Sequence, residues 1–269
     1  MIDIFTYSFM IRALLAGVAI GIVAPLIGTF LVAKRYALIA DSLAHVSLAG
    51  VAIGVVLGLN PLLGALVVTI AAAFVIEKLR EGRRVTAEVA LAMFLSSGLA
   101  VAVVLIGLVH RVNVDLLSYL FGSITTVTTS DLWIILSLAV VILATIGVLY
   151  KQLAYTAFDE EQARAGGLRT KLLNQVLILL AAVTVVVSLR IVGGLLIGAL
   201  TVLPVAAASQ VAKSFRQTVV YAVGCGLAAV LIGLFTSYYL NLAAGGAIVL
   251  SALLLFVIAF VTSRIPTQR

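Results

Sequence analysis

Apolar positions along this chain neither alternate nor form a stripe; they run on. Nine stretches of nearly unbroken Val, Leu, Ile, Ala and Gly fall near residues 9–33, 38–59, 61–76, 88–109, 132–150, 172–189, 192–211, 218–240 and 244–262. Each comes close to the ~20 residues that an α-helix needs to cross a bilayer core. The pattern predicts an all-α, polytopic membrane bundle of about eight or nine transmembrane helices. The third run is short and the seventh is interrupted by Pro204, so eight crossings plus a re-entrant segment is the alternative to nine. No polar stretch is long enough for a separate soluble unit, so residues 1–269 read as a single transmembrane domain. The first run follows no basic region and leads to no small-residue cleavage site, which predicts a span and not a leader.

Composition supports the class: 64% of residues are hydrophobic and 10% charged, with a mean hydropathy of +1.31. The 22 glycines and few aromatics suit helices that approach closely through small residues. Gly17/Gly21, Gly50/Gly54/Gly58 and Gly194/Gly198 stand at GxxxG spacing. Cys225, the only cysteine, lies in an apolar run and predicts a buried small hydrophobe; neither an intrachain disulfide nor a multi-thiolate site can form.

The net charge of +7 invites a nucleic-acid partner, but in a membrane chain it is better explained by positive-inside loops. With the N-terminus outside, Lys34, Arg35, Lys78, Arg80, Arg83, Arg84, Lys151, Arg164, Arg169, Lys171, Lys213, Arg216, Arg264 and Arg269 all fall on the cytoplasmic side. Only Arg12, Arg111 and Arg190 fall near the outer face. The bias places the protein in the cell membrane, surrounded by lipid, with its C-terminus inside. The longest inner loop, about 151–171, carries its own helix signals. Asp159 is a good N-cap with Gln162 three residues on, and Gly166-Gly167 can supply a left-handed stop, predicting a short helix over about 160–165. It reads either as an ordinary loop helix or as a docking element for a soluble partner.

Against this apolar ground the second run holds Asp41 and His45, four residues apart and so on one helix face. The glycine row of the same run lies roughly 140–180° around the helix, so one side packs tightly while another presents polar ligands. A carboxylate inside a membrane helix costs a few kcal/mol or more and marks an ion or substrate path. Carboxylate plus imidazole is a donor set for a first-row metal ion. The bland readings are that Asp41 caps its helix and that His45 is satisfied by a carbonyl. Two donors do not make a site; a two-fold homodimer meeting along this helix would supply two carboxylates and two imidazoles. Glu88 follows Thr86 at an inner helix start and reads as a helix-end acid or as a further metal ligand. His110, with Asp115 nearby in an outer loop, reads as solvated. There is no GxxxxGK[ST] phosphate loop, no HExxH and no serine triad, so the chain is expected to be no enzyme and to hydrolyse no ATP itself. A proton-coupled secondary metal transporter, with Asp41 or Glu88 as relay, is the rival from another class.

Five segments carry a resemblance. Arg35–Gly50 (RYALIADSLAHVSLAG), Asn60-Pro61-Leu-Leu, Val114–Gly122 (VDLLSYLFG) and Gly193–Ala208 (GGLLIGALTVLPVAAA) together resemble the membrane permease subunit of bacterial and archaeal ABC importers for zinc, manganese and sometimes iron. Asp41 and His45 stand at the family's acidic and histidine positions. Phe158–Leu168, comprising Phe158, Asp159, Glu160, Glu161, Gln162, Ala163, Arg164, Ala165, Gly166, Gly167 and Leu168, resembles its cytoplasmic coupling helix. Glu160 stands where the family often has proline. The resemblance implies the permease fold, a homodimer, two cytoplasmic ABC ATPase subunits and an extracytoplasmic metal-binding protein. It further implies a transported divalent ion in place of any permanent cofactor. Zinc is favoured, since four nitrogen and oxygen donors suit tetrahedral zinc better than six-coordinate manganese. A vitamin or siderophore cargo would need a wide cavity in place of an Asp/His pair.

Overall fold

The structure is a computed structural model that describes residues 7–82, 86–108 and 116–263. Within them the chain is helical, in the order α1 (Ser8–Ala33), α2 (Ile39–Val56), α3 (Pro61–Glu81), α4 (Ala87–Leu108), α5 (Leu116–Phe121), α6 (Thr129–Phe158), α7 (Glu160–Ala165), α8 (Thr170–Ser188), α9 (Ile197–Val211), α10 (Phe215–Leu240) and α11 (Ala244–Ser263). Eight of the described helices are long and apolar enough to cross a membrane. The seventh apolar run resolves differently. Its helix, α9, starts only at Ile197 and has 15 residues, with Pro204 inside it and not interrupting it.

The preceding segment is a series of turns whose backbone groups are bonded elsewhere. Gly194 N donates to Tyr119 O at 2.8 Å, Leu195 N to Leu120 O at 3.1 Å, and Ser123 N to Arg190 O at 3.1 Å. Backbone groups in an apolar surround must be paired, and here α5 pairs what α9 leaves unwound. Gly122 and Gly193 face each other at φ +75° and +85°. A Cβ on Gly193 would stand 2.5 Å from Gly122 N. The third run is longer than its hydropathy suggests. Glu77, 2% exposed, accepts from Arg80 Nε at 2.8 Å, which carries α3 on through a polar last turn.

Close approach through glycine is where the spacing placed it on α2 and α1. A Cβ on Gly50 would stand 2.7 Å from Gly64 O and Ala65 Cα, and one on Gly54 3.0 Å from Pro61 Cα, so this face is the seam with α3. Gly17 and Gly21 face Val230 and Gly226 of α10. Gly194 and Gly198 are no helical pair, since Gly194 precedes α9. Cys225 is half-buried in α10.

The inner end of the bundle is knit by charge and rings. Phe215 packs edge-on against Phe158 at 5.2 Å and Phe30 at 5.4 Å between centroids. Lys34 reaches Glu160 of α7, and Arg80 lies 4.5 Å from the Tyr36 ring centroid. At the opposite end Arg190 lies 4.7 Å over the Tyr119 ring, with Nε 3.4 Å from Asp131 Oδ2. Arg83, Arg84, Arg111, Arg264 and Arg269 lie outside the described residues, as do His110 and Asp115.

Candidate functional site

α2 enters from a tight turn in which Arg35 adopts φ +62° and Tyr36 N donates to Leu31 O at 2.7 Å. Asp41 falls in its first turn and His45 one turn on. Asp41 does not cap the helix: the N-cap is Leu38, with no side-chain cap bond. Its carboxylate instead lies against the first turn of α9, in the space that a side chain on Gly198 would fill. An anion there faces the positive end of the α9 dipole. His45 is half-buried, and its Nδ1 is enclosed with no hydrogen-bond partner. An unsatisfied buried polar atom costs roughly 1–3 kcal/mol. The bond to a carbonyl that the bland reading required is therefore absent at Nδ1.

The pair is held from behind. Gly98 of α4 lets the two helices touch at His45: a Cβ there would meet Val46 N at 2.7 Å and His45 O at 2.9 Å. Ser42 Oγ lies 3.0 Å from Leu91 O and 3.1 Å from Leu38 O, so one hydroxyl bridges α2 and α4. With α3 closed on the glycine row and α4 on the next face, Asp41 is left toward α9. Chemically the pair offers one carboxylate and one unpartnered imidazole nitrogen, two donors of types that divalent cations take.

Among the described residues no group of three or more His, Cys, Asp or Glu comes together. Glu88 lies exposed in the first turn of α4, where Val89 N donates to Thr86 Oγ1 at 3.4 Å, so Thr86 is the cap and Glu88 a helix-end acid. The structure does not gather it with Asp41 and His45.

The short helix forms over the residues expected. Asp159 Oδ1 accepts from Gln162 N at 2.8 Å, and Glu160–Ala165 make α7. The left-handed residue of the stop is Gly167, at φ +85°; Gly166 has φ −75°. Phe158, Asp159, Glu161, Gln162, Ala165, Gly166 and Gly167 are exposed, whereas Ala163 is fully buried and Leu168 partly so. Ala163 therefore takes part in the packing that seats α7 on the bundle.

Glu160 turns inward too. Burial alone would raise its carboxyl, but the hydrogen bond from Asn174 and the charge and hydrogen bond of Lys34 outweigh that and hold it below the usual carboxylate range. Burial acts in the opposite sense on Lys34 and lowers its ammonium despite Glu160. The ionised pair is the state that fits the geometry, because both Lys34 and Asn174 aim donors at Glu160.

Sequence reading missed Gly198 and Gly98 as parts of the site, having treated the first as generic packing. The signal available was position: Gly198 opens the helix that follows the Gly193-Gly194 break. Asn174, Lys34 and the buried Asp131 carried no signal, because each sits at a span edge where polar residues are ordinary.

Residues 6–263 match the ABC 3 transport family. The chain is 41% identical over 257 residues to a probable metal transport system membrane protein of Treponema pallidum, covering 94% of this chain and 96% of that one. It is 34% identical to the manganese transport system membrane protein MntC of Listeria monocytogenes (94% and 90% covered). It is 30% identical to the high-affinity zinc uptake system membrane protein ZnuB of Haemophilus influenzae (94% and 97% covered). Its fold superposes with a TM-score of 0.87 on a chain of PsaBC from Streptococcus pneumoniae in complex with Fab, at 33% identity over 96% of this chain and 93% of that one.

Proposed function

The chain belongs to the ABC 3 transport family, as a multi-pass cell-membrane permease subunit for metal import; from that premise we propose that Asp41 and His45 are the ligands that pass the ion. The observation that carries the reading is the enclosed, unpartnered Nδ1 of His45 one turn from the Asp41 carboxylate. A membrane-buried carboxylate is costly and is kept for an ion path. Two copies of the chain meeting along α2 supply two carboxylates and two imidazoles, the four donors one copy lacks. The ion is the cargo, so the site binds it moderately and lets it leave.

The chain carries no nucleotide motif, so ATP is hydrolysed by two partner ATPase subunits on the inner side, where the exposed residues of α7 receive them. An extracytoplasmic metal-binding protein delivers the ion at the opposite face. Zinc leads manganese on donor type, since nitrogen donors and four-coordination favour it. Relatives bear names for both metals, so competition is the deciding measurement.

Labelled-zinc uptake into vesicles carrying the assembled transporter tests both parts. Asp41→Ala and His45→Ala each abolish uptake while the protein still inserts and assembles, and excess manganese displaces zinc poorly in the wild type. Wild-type uptake in either variant refutes the ligand assignment; equal competition by manganese refutes the zinc preference alone. A proton-coupled carrier would instead take up metal without ATPase subunits, which the same vesicles show directly.

A further inference from the structure

Glu160 occupies an unusual place for a residue of a docking helix, because its carboxylate faces the bundle. Oε2 accepts from Lys34 Nζ at 3.3 Å and from Asn174 Nδ2 at 3.1 Å, and Oε1 accepts from Arg164 Nη2 at 3.1 Å. Lys34, whose side chain is 5% exposed, ends α1 and also donates to Asn174 Oδ1. Asn174 is buried in the second turn of α8. One carboxylate thus joins α7 to α8 and to the end of α1, which is remote in sequence.

The link from Lys34 into α2 is stiff. Arg35 takes the left-handed turn, the Tyr36 ring has Lys34 Nζ at 5.6 Å and Arg80 at 4.5 Å from its centroid, and Ile39 N donates to Tyr36 O at 3.0 Å as α2 begins. Asp41 is in that first turn. Parting Lys34 from Glu160 would strand a buried ammonium without its counter-charge, and breaking such a pair is strongly unfavourable. When α7 is displaced, the α1–α2 turn is therefore drawn with it.

We propose that Glu160 is a positioning residue: through Lys34 it transmits movement of α7 to the α1–α2 turn, and so to Asp41 and His45. This rests on the reading of α7 as the ATPase-docking helix. Phe158, the last residue of α6, packs on Phe215 of α10, which also meets Phe30 of α1, but the Glu160 junction is the charged link to the turn that opens α2.

The test compares Glu160→Gln, Lys34→Met and the double variant in vesicles holding permease, ATPase and binding protein. The readout is ions imported per ATP hydrolysed, with a Gln162→Cys crosslink to the ATPase confirming assembly in every case. Each single variant lowers that ratio about tenfold or more, the scale of one charge-assisted hydrogen bond lost from one of two states. The double variant falls no further than the worse single, because one junction is broken once. A ratio within about twofold of wild type in a crosslinked Glu160→Gln transporter overturns the proposal, as do single losses that multiply in the double. Absence of the crosslink in protein otherwise wild type overturns the docking reading and this proposal with it.

Discussion

Gly198→Ala is the smallest change that reaches the site without touching a ligand. The new methyl group would occupy the place of the Asp41 carboxylate, whose atoms are the nearest three to that Cβ position. Either Asp41 rotates away or α9 retreats. Alanine in place of glycine favours the helix by up to about 1 kcal/mol, so α9 persists and Asp41 is the group that moves. Driving one side chain about 30° off its rotamer costs roughly 0.5–1.5 kcal/mol. Two protomers sharing one ion double this, and at about 1.4 kcal/mol per tenfold the metal is held roughly 5- to 150-fold more weakly. The assay is the metal concentration for half-maximal uptake in reconstituted vesicles. Gly224→Ala is the control, since its Cβ meets nothing within 4 Å. Gly198→Ala with a wild-type half-maximal concentration would show that Asp41 does not hold the ion from the observed position.

The inner face yields two further outcomes. Ala163→Glu places a charge where exposure is 0%; burying it unpaired costs several kcal/mol, so α7 detaches and trypsin cleaves at Arg164 or Arg169 faster than in wild type, whereas Gln162→Glu on the exposed side leaves cleavage unchanged. Glu160 has a lowered folded-state value, so its contribution to anchoring α7 is present at neutral pH and is lost as pH falls below about 4.5, its ordinary value, through the lowered one. Thermal unfolding in detergent loses stability across that acid window, and Glu160→Gln flattens the slope; an unchanged slope refutes the assignment.

Spans and the short helix were legible because each rests on local chemistry: apolar length, and the Asp159 and Gly167 signals at the two ends of α7. The Asp41/His45 pair was legible because a carboxylate and an imidazole four residues apart stand out in an apolar run. The illegible parts depended on distant pairing. Nothing near Gly198 says that its missing side chain makes room for Asp41, 157 positions earlier in the sequence. Glu160 looked like a solvated docking residue because its partners, Lys34 and Asn174, are brought to it only by the bundle. The seventh run was equally apolar before and after Ile197, so hydropathy could not show that its first residues bond to α5 and leave the helix to begin late.

That late start constrains what evolution can write there. The bridge between residues 190–195 and 119–123 is made by amide hydrogens and carbonyls, so it is indifferent to most side chains and intolerant of any residue that removes a donor. Proline at 194 or 195 would delete a bond to Tyr119 O or Leu120 O, and a larger residue at Gly122 or Gly193 would wedge the two segments apart. What the stretch demands at 122 and 193 is the absence of a side chain, so this bridge is inherited first as a backbone shape, with its amide pattern and its two glycines kept together.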